Sequence, residues 1–341
     1  MERAASSARS WRGTSPAERN VVTSSAVTTS SEVTQTPATR KMLIVSHTRR
    51  QEAIDAAIQV MDRLLDAGVA PVLESTTRSE LERHTDRVAD ARIENLDEGA
   101  PLDDFELCIV LGGDGTILRA AEIVRAARVP IIGVNLGHVG FLAESERESI
   151  STLLERVLDR DYEVEKRLAI SVTVERPGEE PHTTWALNEA ALEKADRQRM
   201  VEVIIAVDGQ PLESFGCDGV ILATPTGSTA YSFSAGGPIV WPGVEALLAV
   251  PICAHALFAR PIVVGKDSTL VVDLLDRTSS SAVLSCDGRR SIEITPGTRV
   301  TARRSDHPVL LARLHEGPFT KRLVDKFKLP VAGWRGEADQ P

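Results

Sequence analysis

Leu111-Gly112-Gly113-Asp114-Gly115-Thr116 follows directly on the apolar run Leu107-Cys108-Ile109-Val110. A short apolar run that stops at glycine reads as a buried strand, and three glycines around one carboxylate end it abruptly. Beyond it Ile117, Leu118, Ala121 and Val124 fall at helical spacing, so the glycines occupy a strand-to-helix junction. At such a junction bare backbone N–H groups approach a phosphate while a single charged side chain faces the reaction. Gly-Gly-Asp-Gly is also the composition of an ordinary turn, because both residue types tolerate positive φ, and the tetrapeptide alone leaves both readings open. It matches neither of two common phosphate loops. The chain has no Gly-x-x-x-x-Gly-Lys-Ser/Thr, and Gly113-x-Gly115 reaches Leu118 where a dinucleotide fingerprint needs its third glycine.

Working outward, residues 42–45 and 69–73 are apolar runs, 53–65 carry apolar residues at helical spacing, a polar helical stretch follows, and 130–134 form another apolar run. Alternating strands and helices predict a parallel sheet covered on both faces. Ligands of such sheets lie beyond the carboxyl ends of the strands, where Asp114 and the loop Asn135-Leu136-Gly137-His138-Val139-Gly140-Phe141-Leu142 both belong. After a helix leading to Tyr162 the pattern changes to period-two alternation at 170–174, 201–207, 269–274, 291–294 and 309–314, with Asp208-Gly209 and Asp287-Gly288 as hairpin turns. The expected architecture is an α/β N-terminal domain with a Rossmann-like parallel sheet, then an all-β, sandwich-like C-terminal domain. The expected boundaries are a disordered tail at 1–40, the α/β domain at 41–155, the β-rich, nucleotide-binding domain at 156–315, and a closing helix (319–327) and tail at 316–341 that packs back on the first domain.

Composition excludes several classes. The 341 residues are 42% hydrophobic and 26% charged, as in a globular domain. The apolar stretch 246–254 is broken by Pro251 and falls far short of the roughly 20 residues a membrane helix needs. A formal net charge of −10 speaks against a nucleic-acid surface, which requires clustered Lys and Arg. The first 41 residues carry six basic and three acidic side chains, so the negative excess sits on the remainder, and an anionic ligand must be met by local N–H groups, a few Arg or a divalent metal. Cys108, Cys217, Cys253 and Cys286 show no C-x-x-C spacing, sit in apolar or strand-like surroundings and read as buried structural thiols of a reducing compartment, here the cytoplasm. The seven histidines show no metal-ligand spacing, so no protein-held metal site is expected. Residues 1–40 are rich in Ser, Thr and Ala and poor in acids, which fits an organelle transit peptide and equally a start assigned upstream of Met42.

Two further segments resist a purely structural reading. In Trp185-Ala-Leu-Asn188-Glu189-Ala-Ala-Leu192 an amide and a carboxylate interrupt an apolar strand. Polar groups there find partners or bind something, because an unpaired buried polar group costs roughly 1 to 3 kcal/mol. The run 217–238 takes a strand through Thr224-Pro225-Thr226-Gly227-Ser228-Thr229-Ala230-Tyr231-Ser232-Phe233-Ser234, small hydroxylated residues beside one tyrosine. That composition suits a solvated connection, and also a close-fitting nucleotide pocket with the ring packed on a base.

Together these segments resemble the NAD kinase family, and its actinobacterial branch in particular. The family's Gly-Gly-Asp-Gly loop, Asn-Glu pair and Asp-Gly-x-x-x-x-Thr-Pro-Thr-Gly-Ser-Thr-Ala-Tyr-Ser run are met in order at 112–115, 188–189 and 218–232, and the likeness runs from about residue 42 to 334, including Cys286-Asp287-Gly288-Arg289-Arg290. The resemblance implies phosphoryl transfer from ATP or polyphosphate, carried with Mg²⁺ or another divalent cation, to the adenosine-ribose 2′-hydroxyl of NAD, giving NADP. It implies Asp114 as the proton acceptor; Asn188 and Glu189 on ribose and base; Asp218 on the nicotinamide amide; and Thr229, Ala230, Tyr231, Ser232, Phe233 and Ser234 around the nucleotide. Gly112, Gly113, Gly115 and Thr116 would form the donor-phosphate loop, with Gly115 also near NAD and Arg119 one turn further on. Arg199 and Arg289 match substrate-facing positions, against the reading of both as solvated surface charges. A homodimer or homotetramer built through the β-rich half is also implied. A lipid or sugar kinase shares the glycine loop but lacks the other two segments, and a nucleotide-sensing module without turnover is the reading from another class.

Overall fold

The computed structural model describes residues 40–99, 101–134, 136, 140–143, 150–314 and 317–331. The expected disorder of the N-terminal tail, residues 135 and 137–139 of the predicted loop, and the last ten residues lie outside that set.

The first sheet is built on β1 (Lys41–Ser46), β2 (Ala70–Leu73), β3 (Glu94–Asn95), β4 (Phe105–Leu111), β5 (Ile131–Val134) and β6 (Glu163–Arg167). The order β3-β2-β1-β4-β5 is parallel throughout. Helices α1 (Gln51–Asp66), α2 (Ser75–Leu81), α3 (Asp114–Val124) and α4 (Ile150–Leu158) flank it. Alternation along the strands decides which residue meets which helix. Met42 and Ile44 of β1 face the α1 and α4 side, among Val60, Met61, Leu64 and Val157. Leu43 and Val45 face the other side, among Ile117 and Ala121 of α3. Both faces are covered, which is why these strands read as unbroken apolar runs.

Val309–Arg313 corrects one expectation. It reads as a strand of the β-rich half, but it returns to the first sheet, parallel to β5, and β6 pairs antiparallel to it. Val309 and Leu311 pack in the α3-side core and Ala312 in the opposite one, and an apolar strand pattern does not say which sheet buries it.

The remaining strands form two antiparallel six-stranded sheets. One runs Gln210–Cys217, Val201–Val207, Leu270–Leu274, Arg299–Arg304, Ile170–Glu175, His182–Ala186; the other runs Ile262–Gly265, Ala246–Ile252, Gly219–Ala223, Glu189–Lys194, Ala282–Cys286, Arg290–Ile294. Val172, Val203, Val272 and Val300 of the first sheet share a core with Leu192, Val220, Leu222 and Leu284 of the second, which makes the half a sandwich. Its hairpins turn at Asp208-Gly209 and Asp287-Gly288, all four residues at positive φ. The short α5 (Tyr231–Ser234) lies between two strands of the second sheet, and α6 (Phe319–Phe327) closes the described chain.

One contact joins the halves at the site. Leu187, fully buried, packs in the α3-side core of the first sheet, with Trp185 against it. The residues that follow, Asn188 and Glu189, are therefore delivered beside α3.

Candidate active site

β4 runs out at Leu111, Gly113 is the N-cap of α3, and Asp114 opens the helix. Neither Gly113 nor Arg50, the N-cap of α1, supplies a side-chain cap. Two helix N-termini thus leave N–H groups and positive dipole ends uncapped. Both begin at one cleft of about 520 Å³, lined by His47, Thr48, Arg49, Arg50, Gly113, Gly115, Thr116, Arg119 and Arg289. A Cβ at Gly113 or Gly115 would meet nothing within 4 Å, so packing does not demand these glycines; they keep the cleft floor bare. With four guanidinium-bearing residues and no carboxylate in its lining, the cleft has the chemistry of a polyphosphate site. Arg119 is already engaged, donating to Ser46 O at 2.8 Å and lying 3.2 Å from Glu74. Residues 47–50 are the part of this cleft that sequence reasoning missed; their position after a parallel strand was the available signal.

The Asp114 carboxylate points at residues 140–143. Its Oδ2 accepts Phe141 N–H and its Oδ1 accepts Leu142 N–H, each at 3.1 Å. A Cβ on Gly140 would run into Asp114 Oδ1, so glycine here is what lets the carboxylate keep this direction.

The Asn188-Glu189 pair is held through its backbone by the turn at Asp287. Asp287 is buried, and its oxygens accept Leu187 N–H at 2.9 Å, Asn188 N–H at 2.7 Å and Glu189 N–H at 3.3 Å, with Arg290 Nη2 donating at 2.9 Å. From the other side Thr224 donates its N–H to Asn188 O and its hydroxyl to Leu187 O. Gly227 lies so close that a Cβ would clash with Asn188 O, which accounts for the Thr224-Pro-Thr-Gly227 sequence. These bonds engage only the backbone of the pair, not its side chains. Burial, then the negative charge of Asp287, pushes the Glu189 carboxyl up to about 8, and its Oε2 has no hydrogen-bond partner.

The nucleotide-wrapping candidates line the same region. The Tyr231 N–H bears on the Glu189 carboxyl. Its phenol donates to Glu193 at 2.7 Å and is pushed up to about 12 by burial and that carboxylate. Ser232 is fully buried with an unpartnered hydroxyl, whereas Phe233 is exposed. Thr229 and Ala230 are half-buried and Ser234 exposed. Asp218 pairs with Lys194 at 2.6 Å.

One hairpin connects the two regions. Arg289 and Arg290 both reach Glu122 on α3, at 3.0 and 3.1 Å. Trp185 is sandwiched between the guanidinium groups of Arg125 and Arg290, 4.3 and 4.4 Å from its ring centre, an arrangement worth about 0.5–2 kcal/mol per cation. Arg289 therefore lines the glycine cleft two residues from Asp287. Arg199 stands apart on an exposed turn, with Asp196 at 3.9 Å. Among the described residues no group of His, Cys, Asp or Glu is placed to hold a metal ion. All four cysteines are free thiols; Cys108, Cys217 and Cys286 are buried, but Cys253, expected to be buried, is exposed just past the end of its strand.

Known proteins resemble this chain over most of its length. Residues 42–162 match the family model of the ATP-NAD kinase N-terminal domain and residues 187–314 that of the C-terminal domain. The chain is 56% identical over 299 residues to the NAD kinase of Leifsonia xyli subsp. xyli, covering 88% of this chain and 98% of that one. It is 53% identical over 300 residues to NAD kinase 2 of Streptomyces coelicolor, covering 87% and 97%. Among solved structures, an NAD kinase from Archaeoglobus fulgidus in complex with ATP superposes with a TM-score of 0.61 at 26% identity, covering 85% and 98%. Yeast NADH kinase complexed with NADH superposes at 0.76 with 22% identity, covering 87% and 89%, and so shares the fold. The chain belongs to the ATP-NAD kinase family.

Proposed function

We propose that this NAD kinase carries out its transfer between the arginine-lined cleft and the Asn188-Glu189 pocket, with Asp114 as the base. The carrying observation is the hairpin at 287–290, whose Asp287 holds the pair and whose Arg289 lines the cleft. The terminal phosphate of the donor lies against Gly113, Gly115, Thr116 and the cleft arginines. Asp114 accepts the proton of the adenosine-ribose 2′-hydroxyl; the freed oxygen forms a bond to the terminal phosphorus, and the bond from that phosphorus to its bridging oxygen breaks, releasing ADP or a shortened polyphosphate. One positioned base supplies roughly 10² to 10⁴ in rate; charge neutralisation by the cleft supplies more.

Asn188 and Glu189 take the ribose and base, Asp218 the nicotinamide amide, and residues 229–234 surround the nucleotide. The unpartnered Glu189 oxygen and Ser232 hydroxyl support that assignment. The cleft lining offers a cation no carboxylate, so a divalent ion such as Mg²⁺ enters as part of the donor substrate. Leu257 and Phe258, 93% and 82% exposed beside the Ala246–Ile252 strand, support self-association through the β-rich half. No described helix is long and apolar enough to cross a membrane. Free thiols fit a reducing compartment, and the cytoplasm is the location we propose.

The test is incubation of purified protein with NAD, Mg²⁺ and either ATP or polyphosphate. The product should be accepted by an NADP-specific dehydrogenase, and a sizing column should give a dimer or tetramer. No such product with either donor refutes the assignment.

A further inference from the structure

We propose that Arg322, on the C-terminal helix α6, is a positioning residue for Asp114 and acts through the backbone of residues 141–143. This rests on the reading of Asp114 as the base.

Arg322 Nη1 donates to Phe141 O and to Ala143 O, both at 2.9 Å. Phe141 N–H and Leu142 N–H donate to the two oxygens of Asp114. The peptide joining Phe141 to Leu142 is thus gripped at its oxygen by a guanidinium and at its nitrogen by the carboxylate. A peptide is one rigid plane, so fixing its carbonyl fixes the direction of its N–H, and with it the carboxylate. A charged donor on the carbonyl also polarises the unit and strengthens the N–H bond on its far side.

The segment depends on such support, because residues 140–143 belong to no helix or strand. Helix α6 is seated to provide it. Phe319 and Phe327 each lie 5.8 Å, ring centre to ring centre, from Phe141, and Phe327 lies 4.5 Å from Phe233 of α5. Positions 319, 322, 323 and 327 share one face of the helix, so the aromatic contacts hold Arg322 over the carbonyls. Among the described residues the two Arg322 hydrogen bonds end on Phe141 and Ala143, neither of which lines the cleft, whereas Phe327 of the same helix meets Phe233 beside the nucleotide pocket.

The test is steady-state and single-turnover kinetics of Arg322→Ala and Arg322→Lys, each made in the wild-type and in the Asp114→Asn background. Misplacing a catalytic group by about 1 Å costs about 10²-fold in rate. Arg322→Ala should lower kcat by that order, with KM for NAD and ATP within about threefold of wild type. Arg322→Lys, which keeps the charge and reaches one carbonyl, should recover part of the loss. Groups acting as a unit are non-additive, so in Asp114→Asn the added Arg322→Ala should cost less than about threefold. The proposal is overturned by wild-type kcat in Arg322→Ala, or by the same loss in both backgrounds. If Arg322→Ala melts below the assay temperature, Arg322→Lys is compared in the two backgrounds by the same criterion. Failure of the underlying reading looks different: wild-type protein that makes no NADP, or Asp114→Asn that turns over normally.

Discussion

Asp287 Oδ1 accepts the backbone N–H of Asn188 at 2.7 Å, the shortest of three bonds from consecutive amides to one buried carboxylate. The turn at 287–288 is therefore the anchor of the acceptor pocket rather than a surface connection. Burial raises the Asp287 carboxyl above its ordinary range, opposed by the N–H groups of Leu187 and Asn188 and by Arg290.

Asp287→Ala removes the acceptor of three consecutive amides, those of Leu187 and Glu189 buried and that of Asn188 half-buried, and takes from Arg290 one of its two carboxylate partners, leaving Glu122. Unsatisfied buried donors cost about 1 to 3 kcal/mol each, so a loss of at least about 3 kcal/mol in unfolding free energy is expected, with an NAD KM raised about tenfold as Asn188 and Glu189 lose register. Urea unfolding and initial-rate kinetics check both.

Glu189 gives a pH signature. Its carboxyl is pushed up to about 8, first by burial and then by Asp287, whereas the unfolded chain titrates near the ordinary value of about 4.3. Between these values the folded state holds a proton that the unfolded state has released, so this group's contribution to stability falls as pH rises, at most about 1.4 kcal/mol per unit, and levels off above 8. Glu189→Gln lacks that term. The stability of the variant relative to wild type should grow between pH 5 and about 8; a difference independent of pH rules out the raised value.

Gly140→Ala places a methyl group against Asp114 Oδ1. The carboxylate must turn away, so kcat should drop by about 10²-fold while KM for ATP and the melting temperature stay near wild type. A coupled dehydrogenase assay and a thermal melt decide it.

Arg289 faces the glycine cleft and Glu122, so Arg289→Ala should raise KM for ATP about tenfold, the worth of one charge-assisted contact, and leave KM for NAD nearly unchanged. The opposite pattern restores the NAD-facing role that the family resemblance implies. Stability should change by less than about 1 kcal/mol, because the pair is half-exposed.

Much of this was legible because local pattern and global fold agree. The β4-glycine-α3 junction announces itself through apolar spacing on both sides of Gly112–Gly115, and the Asp208-Gly209 and Asp287-Gly288 turns through residues that accept positive φ. Pairing over long range was not legible. Val309–Arg313 reads as one more apolar strand, and its place beside β5 is decided by pairing with a residue 180 positions earlier. β6, with the sequence Glu-Val-Glu-Lys-Arg, carries almost no apolar signal. The Asp287 anchor was visible as a turn but not as a clamp, since which amides a carboxylate meets is a tertiary fact. For the same reason Arg322 reads as one charge on an amphipathic helix until the carbonyls beneath it are seen.

The most direct measurement is the single-turnover rate of Asp114→Asn with NAD and ATP, set beside its NAD affinity and melting temperature. A base at this position predicts a rate lower by roughly 10² to 10⁴ with affinity and melting temperature close to wild type. A rate within about threefold of wild type, in a variant that still binds NAD, contradicts it.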